Sequence, residues 1–321
     1  MEGLEDGGES LTDLQFTETH VEGIFTMFYG VKKLLKNALG VDVAGRTLAV
    51  RSDDTFVVSY PRSGNTWTRF LIANLLHPQE PATFVNIGRL VPDVEVQSSR
   101  YMRGVPSPRV IKSHTYFDPR YPRVIYIVRD PRDVALSEYD LLRKYRRLED
   151  GYPLERFIGD FVAGTGALAS AGWGTWGENV ASWVFARGAR PGFLLLRYEG
   201  LKASPEQELA RVARFLGIDA SPEQLRTALD RSSAGNMREM EKTQDKQWGS
   251  PQYKNKRSDI PFVRTAMAGG WKSKLRPELV TVIESAWPHI MTLMGYELST
   301  REVGSTQTAL AATTVLGEQG G

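Results

Sequence analysis

Two kinds of apolar pattern alternate along the chain. Short solid runs, TFVVSY (55–60), RVIYIVRD (123–130) and FLLLRYEGL (193–201), with RVIKSH (109–114) as a shorter fourth, predict strands covered on both faces, because such strands have no polar side. Three of the runs lead into helical periodicity: TWTRFLIANLL, PRDVALSEYDLLRKYRRL and SPEQELARVARFLGI, the last with Ser204 as N-cap and Pro205 as first helical residue. Further helices are predicted in LERFIGDFVAG, ENVASWVFARG, SPEQLRTALDRSS and RPELVTVIESAWPHIMTLMGY. Strands alternating with helices predict an α/β fold: a three-layer sandwich with a central parallel sheet flanked by helices.

The pattern lapses in three places. Residues 1–20 and 300–321 are rich in small and polar residues and are expected to be poorly ordered tails around one domain spanning 21–299. Between Lys242 and Trp271 periodicity dissolves, and a stretch that long is functional or disordered. Near the start, GIFTMFYGVKKLLKNALG is amphipathic, with Lys32, Lys33 and Lys36 close together. It reads as a helix packed on the domain, or as a lining for an apolar acceptor or a membrane-surface contact.

Composition narrows the classes. The 321 residues are 41% apolar and carry a formal charge of +2, with a pI near 8.6, so bulk electrostatics do not call for a nucleic acid partner. The absence of cysteine excludes disulfides, thiolate metal sites and a cysteine nucleophile, and fits a reducing, cytoplasmic setting. The acidic N-terminus lacks the features of a secretory signal, and no run approaches the roughly eighteen apolar residues of a membrane span.

The chemistry begins at VVSYPRSGNTW (57–67). A strand that ends in a Gly-containing turn and opens a helix presents backbone N–H groups at the positive end of the helix dipole, which makes an anion site. Arg62 adds charge, Ser63 and Thr66 add hydroxyls, and Gly64 lets a ligand approach the backbone. The turn lacks the Gly-Lys of a nucleoside triphosphate loop, which disfavours ATP hydrolysis. An ordinary strand-to-helix turn could carry the same letters, so its neighbours decide the matter.

Arg129 ends RVIYIVRD at a strand's carboxyl end, where ligands bind in open α/β sheets; its alternative is an ion pair with Asp130 or Asp133. Ser137 lies two turns into the following helix. In RVIKSH, Lys112 and His114 alternate onto one side of an extended segment, which makes His114 a candidate general base. The other histidines, His20, His77 and His289, read as structural or surface.

YPRSGNTW, KSH, VRDPRDVALS, RYEGLK and the late RTAMAGGWK (264–272), in that order, resemble the cytosolic-type sulfotransferases from about residue 50 to about residue 297. The resemblance implies transfer of a sulfuryl group from 3′-phosphoadenosine 5′-phosphosulfate to a hydroxyl or amine of a small molecule, without a metal. Arg62, Ser63, Gly64, Asn65, Thr66 and Trp67 would then cradle the phosphosulfate, with Trp67 near the adenine. Arg129, Ser137 and Arg264 would take the 3′-phosphate, Tyr198 would approach the adenine, and Gly269 belongs to the late motif. His114 would be the base, with Lys112 and Arg62 stabilising charge on the sulfuryl group.

Departures from the family pattern are Arg62 where lysine is common, and Thr265 and Ala266 where a lysine and a glycine are common. The family's C-terminal dimer motif is absent, with Pro277 in the place of its lysine before Thr281 and Val282, so the sequence does not support a homodimer. A small-molecule kinase using ATP and a catalytically silent nucleotide-binding protein are the alternatives. Trp176, Trp183 and Trp287 read as core, whereas Trp248 and Tyr253 in the irregular stretch could touch an acceptor; the basic run YKNKR (253–257) reads as a solvated loop.

Overall fold

In the computed structural model, residues 43–169, 172–188, 190–244, 256–264 and 267–299 are described. Both expected tails, the amphipathic segment with Lys32, Lys33 and Lys36, and Trp248, Tyr253, Thr265 and Ala266 lie outside the described residues.

Four strands, β1 (Thr55–Ser59), β2 (Val110–Ser113), β3 (Arg123–Val128) and β4 (Phe193–Arg197), form one parallel sheet in the order β2-β1-β3-β4. Thr55 is opposite both Val110 and Arg123, and Val124 is opposite Phe193. All four begin within the predicted apolar runs. The chain places β2 on one side of β1 and then β3 on the other, so the crevice at their carboxyl ends is a topological switch point.

The helices, in chain order, are α1 (Asn65–Leu76), α2 (Ile87–Leu90), α3 (Ser99–Gly104), α4 (Pro131–Lys144), α5 (Leu154–Ala163), α6 (Trp176–Arg187), α7 (Tyr198–Ala203), α8 (Pro205–Leu216), α9 (Pro222–Arg231), α10 (Ala234–Gln244), α11 (Pro277–Ala286) and α12 (Pro288–Leu293). Several starts follow from local chemistry. Asp130 caps α4 by accepting the Arg132 N–H at 2.9 Å, with Pro131 at the first helical position. Thr175 and Glu178 form a reciprocal capping box on α6, as do Ser221 and Gln224 on α9.

Alternation along the strands fills two apolar layers. Val57, Ile125, Ile127 and Leu196 pack with Phe70 and Ile72 of α1, Leu209 and Val212 of α8, and Leu225 of α9. On the other side Phe56 stacks on Tyr121 with ring centroids 3.5 Å apart, and Tyr121 and Tyr126 meet Trp183 of α6. Tyr126 donates its hydroxyl to Asn179 Oδ1 at 2.8 Å. Trp176 and Trp183 are core residues as predicted; truncating either to alanine would cost about 3–5 kcal/mol. This is the predicted α/β sandwich.

Four local expectations are corrected. The run FLLLRYEGL leaves the sheet at Arg197 and turns helical as α7, because Tyr198 and Glu199 find partners off the sheet: Glu199 accepts the Asp130 N–H at 3.0 Å and the Tyr296 hydroxyl at 3.1 Å. The helix predicted through Leu148 ends at Lys144, and Arg146 takes a left-handed φ of 54°. Ser204 precedes Pro205 as predicted but makes no side-chain cap bond. RPELVTVIESAWPHIMTLMGY is two helices, broken where Pro288 cannot continue the N–H ladder. Helix α10 was not anticipated.

The structure divides into two compact units: the described part of Met1–Ala49 with Val94–Val105, and Val50–Asp93 with the described residues from Pro106 onward. In the first, Val43 and Ser98 form an antiparallel bridge, and Ser98 caps α3 by accepting the Tyr101 N–H at 3.1 Å. The second contains the whole sheet and every predicted site residue.

Candidate functional site

The turn after β1 bends through two left-handed residues, Arg62 (φ 64°) and Gly64 (φ 101°). Asn65 fastens it to the strand, its amide nitrogen donating to the Val57 carbonyl at 3.1 Å and to Ser59 Oγ at 3.2 Å. Ser63 is buried and its Oγ has no hydrogen-bond partner. A buried hydroxyl left that way costs free energy unless something meets it, and here it stands at the N-terminus of the twelve-residue α1, the end that favours an anion. Thr66 and Trp67 lie in the first turn of that helix.

Three arginines gather beside this turn. Arg62 donates from Nε to Ser137 Oγ at 3.0 Å and lays its guanidinium over the Phe262 ring, 4.9 Å from the centroid. Arg129 donates to the carbonyls of Arg62 (3.2 Å) and Met267 (3.0 Å), and its guanidinium lies 4.3 Å from the Tyr198 ring centroid. Arg264 donates to the Leu136 carbonyl at 3.0 Å and pairs with Asp140 at 2.7 Å. Burial lowers the Arg62 pKa from its ordinary value; Glu138 and Tyr145 oppose that, and the charges of Arg129 and Arg264 add to it. Clustered guanidinium groups of this kind favour a doubly charged anion.

Carboxylates on α4 balance the cluster. Asp133 lies 3.8 Å from Arg129 and accepts the N–H groups of Gly269 (2.7 Å) and Trp271 (2.9 Å), so the Gly-Gly-Trp of the late motif is bound to α4. From the sequence, Asp133 is expected only as an alternative partner for Arg129. Glu138, a residue the sequence does not single out, is buried with Oε2 unpartnered, and burial raises its pKa. The available signal was its place four residues after Val134, on the inward face of α4.

Trp67 and Tyr198 meet edge to face at 5.9 Å, and Trp67 donates its indole N–H to the Ser232 carbonyl at 3.0 Å. Tyr198 presses so closely on Gly64 that a Cβ there would lie 2.6 Å from its ring. The aromatic pair and the phosphate turn are therefore one packed unit.

At the carboxyl ends of β1 and β2 is a second group. His114 Nδ1 is 2.8 Å from the Ser59 carbonyl, which can only accept, so Nδ1 carries the proton and Nε2 the lone pair. Burial, then the Lys112 ammonium, push the His114 pKa down to about 3, against the bond to Ser59, so the ring is neutral near pH 7. Its ring and that of Trp173 meet edge to face, with centroids 5.9 Å apart. Lys112 Nζ pairs with Asp93 at 3.0 Å, a partner not expected from the sequence.

The predicted residues thus fall into two neighbouring sets. Ser63, Gly64, Asn65, Thr66, Trp67, Arg129, Ser137, Tyr198, Arg264 and Gly269 surround the turn, while Lys112 and His114 stand at the end of β2. Arg62, to which the resemblance gives both a place in the phosphosulfate cradle and a share with Lys112 in stabilising the sulfuryl charge, directs its side chain to Ser137 and Phe262.

Comparison with known proteins identifies the family. Residues 52–295 match the model of the sulfotransferase domain. The 3-beta-hydroxysteroid sulfotransferase of Cavia porcellus is 28% identical over 239 residues, covering 70% of this chain and 78% of that protein. Sulfotransferase 1E1 of Bos taurus is 28% identical over 238 residues, with the same coverage. Among solved structures, retinol dehydratase in complex with androsterone and the inactive cofactor PAP superposes with a TM-score of 0.63 at 20% identity, covering 76% of this chain and 82% of that one. Mouse sulfotransferase SULT7A1 complexed with PAP gives a TM-score of 0.59 at 20% identity, over 77% and 88% of the two chains. A family match across the whole sheet and both sets of site residues means that this chain belongs to the sulfotransferase family.

Proposed function

We propose that this sulfotransferase, whose co-substrate is 3′-phosphoadenosine 5′-phosphosulfate, uses His114 as general base to sulfate a hydroxyl of a small molecule. The observation that carries the reading is the His114–Ser59 bond, which leaves a neutral imidazole with its lone pair on Nε2. A hydroxyl oxygen gives its proton to Nε2 as it forms a bond to sulfur. The bond from sulfur to the bridging phosphate oxygen breaks, and adenosine 3′,5′-bisphosphate leaves. Lys112 stabilises charge on the sulfuryl oxygens, and Asp93 orients it.

The phosphate turn and the arginine cluster fit the nucleotide. Ser63 Oγ and the first N–H groups of α1 suit the 5′-phosphosulfate. Arg129, Arg264 and Ser137 suit the 3′-phosphate that distinguishes this donor from ATP, and Arg62 joins the phosphate turn to Ser137. Trp67 and Tyr198 offer aromatic faces to the adenine. The absence of cysteine supports a cytoplasmic setting, and no helix among the described residues is long and apolar enough to cross a membrane.

The test is direct. Incubation with the sulfate donor and a panel of phenols, steroid alcohols and amines should release adenosine 3′,5′-bisphosphate with at least one hydroxyl compound. Absence of donor binding by calorimetry would overturn the reading.

A further inference from the structure

Glu241 is an acid on the inward side of α10, buried and far in sequence from every motif described above. Its Oε1 accepts the N–H of Phe262 at 2.6 Å and lies 3.2 Å from Lys144 Nζ, while Oε2 accepts the N–H of Val263 at 2.9 Å. Lys144, the last residue of α4, donates to the Ile260 carbonyl at 2.5 Å and accepts the Arg257 N–H at 2.8 Å. From the other side Arg238 donates to the carbonyls of Val263 (3.3 Å) and Arg264 (2.9 Å). Residues 257–264 form no helix or strand of their own, so these side chains supply the hydrogen bonds that a regular element would otherwise give.

Taking a carboxylate and an ammonium out of water costs several kcal/mol before their attraction is counted, and apolar residues would pack the same space at no such cost. What an apolar residue cannot do is receive two adjacent backbone N–H groups and so fix the direction of the chain that follows. That chain carries Phe262, whose ring lies under the Arg62 guanidinium, and Arg264, which reaches back to α4.

We propose that Glu241, charge-balanced by Lys144, is a positioning residue for recognition of the donor's 3′-phosphate, setting Arg264 and Phe262 against Arg62 and Ser137. The inference rests on the reading of Arg264 and Ser137 as ligands of that phosphate. In Glu241→Gln the amide nitrogen must face one of the two N–H groups, so one anchoring bond is lost and the segment shifts.

The experiment is calorimetric titration of wild type and E241Q with adenosine 3′,5′-bisphosphate and with adenosine 5′-monophosphate, which lacks the 3′-phosphate. E241Q should weaken the bisphosphate roughly tenfold and the monophosphate by less than about twofold, the loss of one charge-assisted hydrogen bond felt at one end of the ligand. A role confined to stability would move both ligands together. Should E241Q fold poorly, the pair K144M/E241L removes both charges at once, leaves an apolar contact, and should show the same selective loss. If wild type prefers the bisphosphate and both variants keep that preference unchanged, the proposal is overturned. If wild type itself does not distinguish the two ligands, the assignment of Arg264 and Ser137 to the 3′-phosphate fails and the proposal with it.

Discussion

Arg62 Nε donates to Ser137 Oγ at 3.0 Å, a bond that joins the phosphate turn to the second turn of α4. The same guanidinium also reaches the Phe262 carbonyl and lies over the Phe262 ring. A lysine keeps the charge but cannot make these three contacts with one rigid fork. Arg62→Lys should therefore lower donor affinity about three- to tenfold, the worth of about one hydrogen bond, while turnover at saturating donor changes less. Titration calorimetry and initial rates separate the two; a turnover loss larger than the affinity loss would mean that Arg62 acts mainly in the chemical step.

His114→Ala should reduce turnover by about 10²–10⁴, the usual contribution of a positioned base, with affinity for adenosine 3′,5′-bisphosphate within about twofold of wild type. His114 touches Ser59 and Trp173 but none of the three clustered arginines in the hydrogen bonds described above. Loss of nucleotide affinity together with activity would instead make it a structural residue that holds the ends of β1 and β2 together.

The protonation of His114 gives a separate test in stability. Its folded pKa of about 3 lies below the ordinary value of about 6.5, so as pH falls the unfolded chain takes up this proton first. Stability from this group is full above about pH 6.5 and is lost as pH falls toward 3. Between pH 7.5 and pH 5.0 urea unfolding of wild type should lose up to about 2 kcal/mol that His114→Gln does not lose. Parallel curves for the two proteins would show that the ring titrates normally.

Much of this was legible in the sequence. Three of the strands were, because each is a solid apolar run, and so was the strand-to-helix turn, because Gly64 and the polar cluster around it end the first of those runs. What periodicity could not show was the partner of each charge. Glu241 stood out in no way because the polar stretch Ala234–Gln244 shows no apolar periodicity, and what fixes this acid is the pair of N–H groups of Phe262 and Val263, more than twenty residues away in the chain. The direction of Arg62 was missed for the same reason: Ser137 and Phe262 are distant in sequence, and only the fold brings them to it.

Gly64 offers the sharpest test of how tightly the turn and the nucleotide site are joined. Its φ of 101° is a conformation that residues with a Cβ rarely adopt, and an added Cβ would lie 2.6 Å from Tyr198 Cδ2. Gly64→Ala should thus be destabilising by about 1–3 kcal/mol from backbone strain, with a further cost from displacing a tyrosine ring that also faces Arg129. The two costs separate in a double-mutant cycle. Tyr198→Ala removes the clash but leaves the strain, so G64A should cost less in the Y198A background than in wild type, by roughly 0.5–3 kcal/mol of coupling. Thermal or urea unfolding gives the stabilities, and calorimetry with adenosine 3′,5′-bisphosphate gives the binding. Purely additive stabilities would mean that the tyrosine yields freely and that the turn's geometry is set by the backbone alone.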